Sequence, residues 1–341
     1  MIGLQLPESR LRPVVERRSG WRSGLLRRGG CRLRAKLLFA ALPAVLLACL
    51  LAATAGAASG SFVSSDPLLN SIWQASVLTA SDMVAPGPLT VDAEGRPCAI
   101  DLPEVLLDGS DRDRCPYVID QAVTGLTLLV STPGADAGVL HDMILWYAQN
   151  QHADGSLPVS PFDDGQDVFA DSNAFWVEDL YDYVLYTGDV GLAEQVWPNL
   201  VALLNTWYPA QTGANGLFVN PFGPFDYAYI PRFGTVIAYY NAVYARALEL
   251  AADIAGWAGQ PAQAQAWQAR AAALAAPFNA AFWDPQAHAY MDSTVPPIVH
   301  PEDGNVFAIL AGFASQAQAR QALSYLSYHD NGPFGATIAD N

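Results

Sequence analysis

Residues 235–255, TVIAYYNAVYARALELAADIA, decide the fold class. Tyr240, Val243, Tyr244, Ala247, Ala251 and Ile254 recur every three or four residues, the spacing that lines side chains along one stripe of an α-helix. Asn241, Glu249 and Asp253 fall off that stripe, and Gly256 closes the segment. A helix patterned this way must bury its stripe against other elements, so the question passes to its neighbours.

The neighbours read as helix too. A second helix starts near Pro261 and carries Trp267, Leu274, Phe278 and Phe282. Residues 66–83 open with an Asp N-cap and Pro67, and set Leu69, Ile72, Trp73 and Val77 on one face. Further helices are expected over 117–131, 136–150, 172–187, 190–208, 303–313 and 315–328, about nine in all. No alternating strand run stands out beyond short pieces such as GLFVN at 216–220. Short turns follow every other helix, whereas the remaining connections are long and rich in Asp, Gly, Pro and aromatics, as in DGSLPVSPFDDGQDVFADS and NPFGPFDYAYIPRFG. That asymmetry suits an all-α toroid of helical hairpins with a site on its long-loop face; a bundle or solenoid is the alternative, though no fixed repeat period is found.

The first 58 residues stand apart. Nine arginines and Lys36 precede the apolar run LLFAALPAVLLACLLAA, and small residues follow, the order of an export leader cleaved after Ala57 or Ala58. An uncleaved membrane anchor is the alternative. The secreted chain is then a single helical domain over 59–341, with seven arginines, no lysine and thirty-one acids, a net charge of −24. Such a surface repels nucleic acid and anionic lipid and is compatible with a neutral ligand such as a sugar. Two cysteines remain, Cys98 and Cys115, which can pair outside the cytoplasm; two buried thiols are the alternative.

The five histidines are scattered without metal-ligand spacing, and neither a phosphate loop nor a GxSxG elbow is present, so no metal or cofactor is expected. What remains is carboxylates and aromatics in the long connections: Asp108, Asp111, Asp113, Asp120, Asp163, Asp164, Asp171 and Asp226, with Trp146, Trp176, Tyr227 and Tyr229. Paired carboxylates flanked by rings suit glycoside hydrolysis, in which one carboxyl protonates the leaving oxygen while the other activates water or attacks. A solvated acidic turn is the plainer account of the same composition.

The order of motifs adds to this reading. SDPLLNSIW (65–73), VLLDGSDRDRCPYVID (105–120), DGSLP (154–158), DSNAFWVEDLYDYVLYTGD (171–189), FDY (225–227) and PEDGNVFAILAGF (301–313) together resemble the catalytic domain of bacterial and fungal α-L-rhamnosidases. The resemblance implies an (α/α)6 toroid and inverting hydrolysis of terminal rhamnosyl residues. It also implies Asp113 as general acid, Asp108, Arg112 and Asp120 as substrate-contacting residues, and Trp176 and Asp226 as pocket contacts. Two departures accompany it. The helical domain is expected to follow the leader almost directly, where family members usually carry β-sandwich domains, and the family's general base lies beyond the segment matching GPFGATIADN, so an incomplete toroid of about nine of twelve helices is expected, truncated at its C-terminal end. Within this chain Glu302, Asp303 or Asp330 would have to serve as base. A carbohydrate-binding protein without catalysis, or a six-hairpin glycosidase acting on another sugar, are the other expectations.

Overall fold

The computed structural model describes residues 60–341 apart from 110–113, 163–164, 223–231, 333–334 and 338–341. The expected leader lies outside the described residues. Helix α1 (Pro67–Asp82) starts as its sequence dictates: the Asp66 carboxylate accepts the Leu68 N–H at 2.8 Å, and Pro67 occupies the first turn, where its missing N–H costs nothing. Two nested antiparallel pairs follow, β1 (Val84–Pro86) with β4 (Glu104–Leu106), and β2 (Leu89–Val91) with β3 (Pro97–Ile100).

Four helical hairpins follow among the described residues. The first is α2 (Val118–Ser131) with α3 (Pro133–Gln149), turned by Thr132 alone. The second is α4 (Ala170–Thr187) with a broken partner: α5 (Val190–Gln195), α6 (Trp197–Ala202), a π-helical turn over Leu203–Trp207, and α7 (Tyr208–Ala210). Gly188, at φ 75°, makes the left-handed turn that ends α4 and admits the Asp189 cap of α5. The third is α8 (Ala238–Trp257) with α9 (Pro261–Phe282), the fourth α10 (Glu302–Leu310) with α11 (Gln316–His329). Small paired strands, β5 (Trp283–Asp284) with β6 (Ala289–Tyr290) and β7 (Asn331–Gly332) with β8 (Gly335–Ala336), sit in the connections after α9 and α11.

The first helices of the hairpins form one row: α2 packs on α4, α4 on α8, and α8 on α10. Burial confirms which layer is inside. On α8 fifteen of twenty residues are buried, among them Tyr239, Tyr240, Val243, Tyr244, Leu248 and Ile254, whereas α9 buries only Trp267, Ala271, Leu274, Phe278 and Phe282 along one stripe. An inner row backed by antiparallel outer helices is the two-layer arrangement of a helical toroid. Because the hairpin turns are short and the returns are long, all four inner helices present their N-termini to the long-loop end.

The structure corrects several sequence expectations. Helix α8 begins at Ala238 rather than 235, since Ile237 is still extended (φ −113°, ψ 135°). The single helix expected over 190–208 is interrupted; Pro198 and Pro209 lack the N–H that a continuous ladder needs, and the π turn lies between them. The strands between 84 and 106 were not expected, because pieces of three or four residues are too short to show alternation. GLFVN contributes only a bridge between Thr212 and Phe218. Helix α1 forms as expected, but Leu68, Leu69, Ile72 and Leu78 are exposed and only Ala80 is buried.

Candidate active site

A repeated device fixes the long loops to the inner helices. The fourth residue of α4, α8 and α10 is in each case a wholly buried asparagine: Asn173, Asn241 and Asn305. Each amide N–H bonds back to a carbonyl four residues earlier, Phe169, Ile237 or Pro301, at 2.8–2.9 Å. Each side-chain oxygen accepts a loop N–H, from Leu157 at 2.8 Å, Phe218 at 2.7 Å and Tyr290 at 2.7 Å. Neutral amides are suited to this, because they satisfy both a buried donor and a buried acceptor without carrying charge into the core. The equivalent position of α2 is Gln121, whose side chain is buried but clamps no loop N–H among the described residues. The loop ahead of α2 is fastened otherwise, by a disulfide between Cys98 and Cys115. The Val118 N–H also donates to the Val159 carbonyl at 3.0 Å.

With the loops fixed, carboxylates gather at the inner helix N-termini. Asp120 lies in the first turn of α2, Asp171 in that of α4, and Glu302 and Asp303 in that of α10. Parallel helix dipoles point their positive ends at this mouth, which favours negative charge there. Asp171 is fully buried; its Oδ1 accepts the Ser172 N–H at 2.9 Å and its Oδ2 the Tyr239 hydroxyl at 3.2 Å. Arg232 enters the same region with its side chain wholly buried, donating to Asp292 from one terminal nitrogen and to Asp303 from the other. Its guanidinium also lies over the rings of Tyr239 and Tyr240, at 5.0 and 5.6 Å from their centroids. The result is a continuous polar chain, Asp171–Tyr239–Arg232–Asp303, that crosses three inner helices. Asp303 keeps 12% of its side chain accessible, and its Oδ1 accepts the Gly304 N–H.

Behind Asp120, between α2, α3 and α4, lies a second buried polar group. Burial pushes the Asp179 carboxyl well above the usual carboxylate range, and the nearby Asp182 and Glu178 charges push the same way, with Gln121 opposing. Asp179 therefore carries a proton well above the pH at which a free carboxyl loses it. The Tyr147 hydroxyl, also buried, is raised by burial first and then by the charges of Asp179 and Asp120.

The residues expected from sequence fall unevenly on this geometry. Asp120 stands in the mouth, half-buried, and Asp108 lies half-buried in the connection leading to α2. Asp113, Arg112 and Asp226 lie outside the described residues. Trp176 is in the core: it is 0% exposed and its indole N–H donates to the Ile144 carbonyl at 3.1 Å, so it offers no surface to a sugar. Asp171 was among the carboxylates singled out in the long connections, without a role of its own; Arg232, Asp292 and Tyr239 were missed as site residues. One signal was legible, since Arg232 is one of only seven arginines after residue 58 and sits in an aromatic loop. Its partners are sixty and seventy-one residues away, and no local pattern announces them. Among the described residues no cluster of three His, Cys, Asp or Glu is arranged to hold a metal ion.

Fold and mouth together define a toroid of helical hairpins with a carboxylate- and tyrosine-lined end. The family model for the bacterial alpha-L-rhamnosidase 6 hairpin glycosidase domain matches residues 100–328. The chain belongs to this family. Among solved structures it is similar to a GH78 family rhamnosidase of Bacillus sp. GL1, with 23% identity, a TM-score of 0.64, and coverage of 82% of this chain and 28% of that one. It is also similar to a rhamnosidase from Klebsiella oxytoca with rhamnose bound, with 21% identity, a TM-score of 0.66, and coverage of 82% and 50%. An α-L-rhamnosidase from Aspergillus terreus follows, at 14% identity, a TM-score of 0.59, and coverage of 82% and 31%. The chain thus spans half or less of the length of these three relatives. Comparison with curated proteins returned no match.

Proposed function

We propose that the chain forms the sugar-binding and acid-bearing part of an exported glycoside hydrolase that releases terminal α-L-rhamnosyl residues with inversion. The observation that carries this is the gathering of Asp120, Asp171, Glu302 and Asp303, with Arg232 and Tyr239, at the inner helix N-termini of a family member. The disulfide and the leader pattern support export.

In an inverting mechanism one carboxylic acid protonates the glycosidic oxygen while a carboxylate on the opposite face draws a proton from water as it attacks the anomeric carbon. The acid role falls to Asp113 by its place in the DGSDRDR motif. Of the three acids open for the water-activating role, Asp303 has both oxygens engaged and Asp330 is buried at the end of α11. Glu302, half-buried at the first position of α10, is the one left accessible. Asp108 and Asp120 are suited to accept sugar hydroxyl hydrogens.

The test is hydrolysis of p-nitrophenyl α-L-rhamnoside by residues 59–341, with rhamnose binding followed by calorimetry in the same sample. Turnover that disappears in Asp113→Asn and in Glu302→Gln, with binding retained, supports the full mechanism. Binding without turnover reduces the reading to a carbohydrate-binding domain, and a folded protein that neither binds nor turns over refutes it.

A further inference from the structure

We infer that Asp179 on α4 is a positioning residue for Asp120: with Tyr147 of α3 it seats the Gln121 side chain, and so fixes the first turn of α2 from behind the mouth. This rests on the proposal that Asp120 meets the sugar. The signal is a break in the row of clamps. Asn173, Asn241 and Asn305 each give their side-chain oxygen to a loop N–H. Gln121, at the same place in α2, is one methylene longer and faces the Asp179 carboxyl of the neighbouring helix instead. Asp120 precedes Gln121 directly, so whatever holds Gln121 sets where Asp120 stands.

Three helices close around this side chain. Gly125, one turn beyond Gln121 on the same face of α2, lets them approach. A Cβ there would lie 2.7 Å from Leu140 Cδ2 on α3 and 3.6 Å from Asp179 Oδ1 on α4. Gln121, Tyr147 and Asp179 are 1%, 0% and 4% exposed. The Gln121 amide, the Tyr147 hydroxyl and Asp179 Oδ2 find no hydrogen-bond partner elsewhere among the described residues. These groups therefore satisfy one another, directly or through an internal water. A protonated Asp179 suits that exchange, because it carries one donor and a free acceptor, the complement of a carboxamide, and adds no charge behind Asp120. Burial, and then Asp182 and Glu178, keep it protonated. The titratable groups around the cluster are Glu178 and Asp182 on the helix of Asp179, Tyr147 on α3, and Asp120 and Tyr117 at the start of α2. Arg246 of α8 pairs with Glu178 at 2.6 Å, not with Asp179. Leucine would fill the same space without the cost of burying a carboxyl, which leaves hydrogen bonding as the reason for an acid here.

The experiment follows the Asp120 and Asp179 carboxyl carbons by carbon-13 NMR through a pH titration of residues 59–341, with rhamnose affinity measured by calorimetry on the same samples. Wild type is compared with Asp179→Asn, Asp179→Leu and Gln121→Met. Asp179 should keep its proton well above the pH at which a free carboxyl loses it. Asp179→Asn retains a neutral donor and acceptor, and should leave the Asp120 titration and the rhamnose affinity unchanged. Asp179→Leu and Gln121→Met each remove one side of the contact. Each should shift the Asp120 titration and weaken rhamnose binding by about five- to ten-fold, and together they should do no more than either alone. A mere packing role would leave Asp179→Leu as good as Asp179→Asn. Thermal melts verify folding, and should Asp179→Leu not fold, Gln121→Met decides. Asp179 ionising in the ordinary carboxylate range, or an Asp120 titration indifferent to Asp179→Leu and Gln121→Met, overturns the inference. Rhamnose failing to bind wild type while the Asp120 titration responds as expected overturns the proposal for the mouth and leaves the positioning role standing.

Discussion

Removing the Cys98–Cys115 disulfide is the perturbation whose size follows most directly from the structure. The bond closes a loop over a sequence separation of 17. Restricting the unfolded chain by a loop of that length is worth about 3 kcal/mol at 25 °C in the chain-entropy treatment. Both cysteines are fully buried, and Cys98 also bridges to Phe162, so the folded geometry has a second hold when the bond is gone. The double variant Cys98→Ala/Cys115→Ala should therefore fold and be less stable by about 3 kcal/mol. For the roughly 260 described residues that corresponds to a fall in Tm of about 5 °C. Guanidinium unfolding of oxidised wild type against the variant measures it, and the m-value should rise slightly as the unfolded chain expands. A loss below about 0.5 kcal/mol, the range of inert surface changes, would refute the reasoning. The same variant probes function, because the loop it frees is the one of four inner-helix loops without an asparagine clamp. Hydrogen exchange should quicken around Leu106–Asp108, with the Leu157, Phe218 and Tyr290 amides unaffected.

Other expectations follow from the core and the mouth. Arg232→Met leaves Asp292 and Asp303 facing each other without their cation and should cost about 3–5 kcal/mol in chemical unfolding, with weakened sugar binding in what remains folded. Trp176→Ala should cost a similar about 3–5 kcal/mol through the cavity it leaves. Its rhamnose affinity per folded molecule should be unchanged, since the ring touches no solvent. Asp182 is raised to about 6 by burial and then by Glu178, with Arg246 opposing. The sign is that of an acid harder to ionise when folded. The penalty is absent below the unfolded value of 3.8, grows as pH rises from there to about 6, and is constant above. Asp182→Asn should therefore raise the melting temperature at pH 7 and flatten its dependence between pH 4 and 6; an unchanged pH profile would exclude Asp182 as its source.

The sequence by itself determined the elements and their order. Tyr240, Val243, Tyr244 and Ala247 lie on one helical stripe whatever surrounds them, and Asp66–Pro67 starts a helix by local hydrogen bonding and a fixed φ. The alternation of short turns with long acidic connections made the two-ended toroid legible as well. Tertiary structure decided the rest, because it depends on contacts that no local pattern encodes. Trp176 and Asp120 both resemble site residues in sequence, yet one is sealed in the core and the other lines the mouth. The position of a residue on α4 or α2 relative to neighbouring helices settles that, not its type. Arg232 finds Asp292 and Asp303 only after α8 and α9 have folded back between them. Asn173, Asn241 and Asn305 are ordinary polar residues in the chain; packing buries them, and burial turns each into a clamp by making an unpaired loop N–H costly.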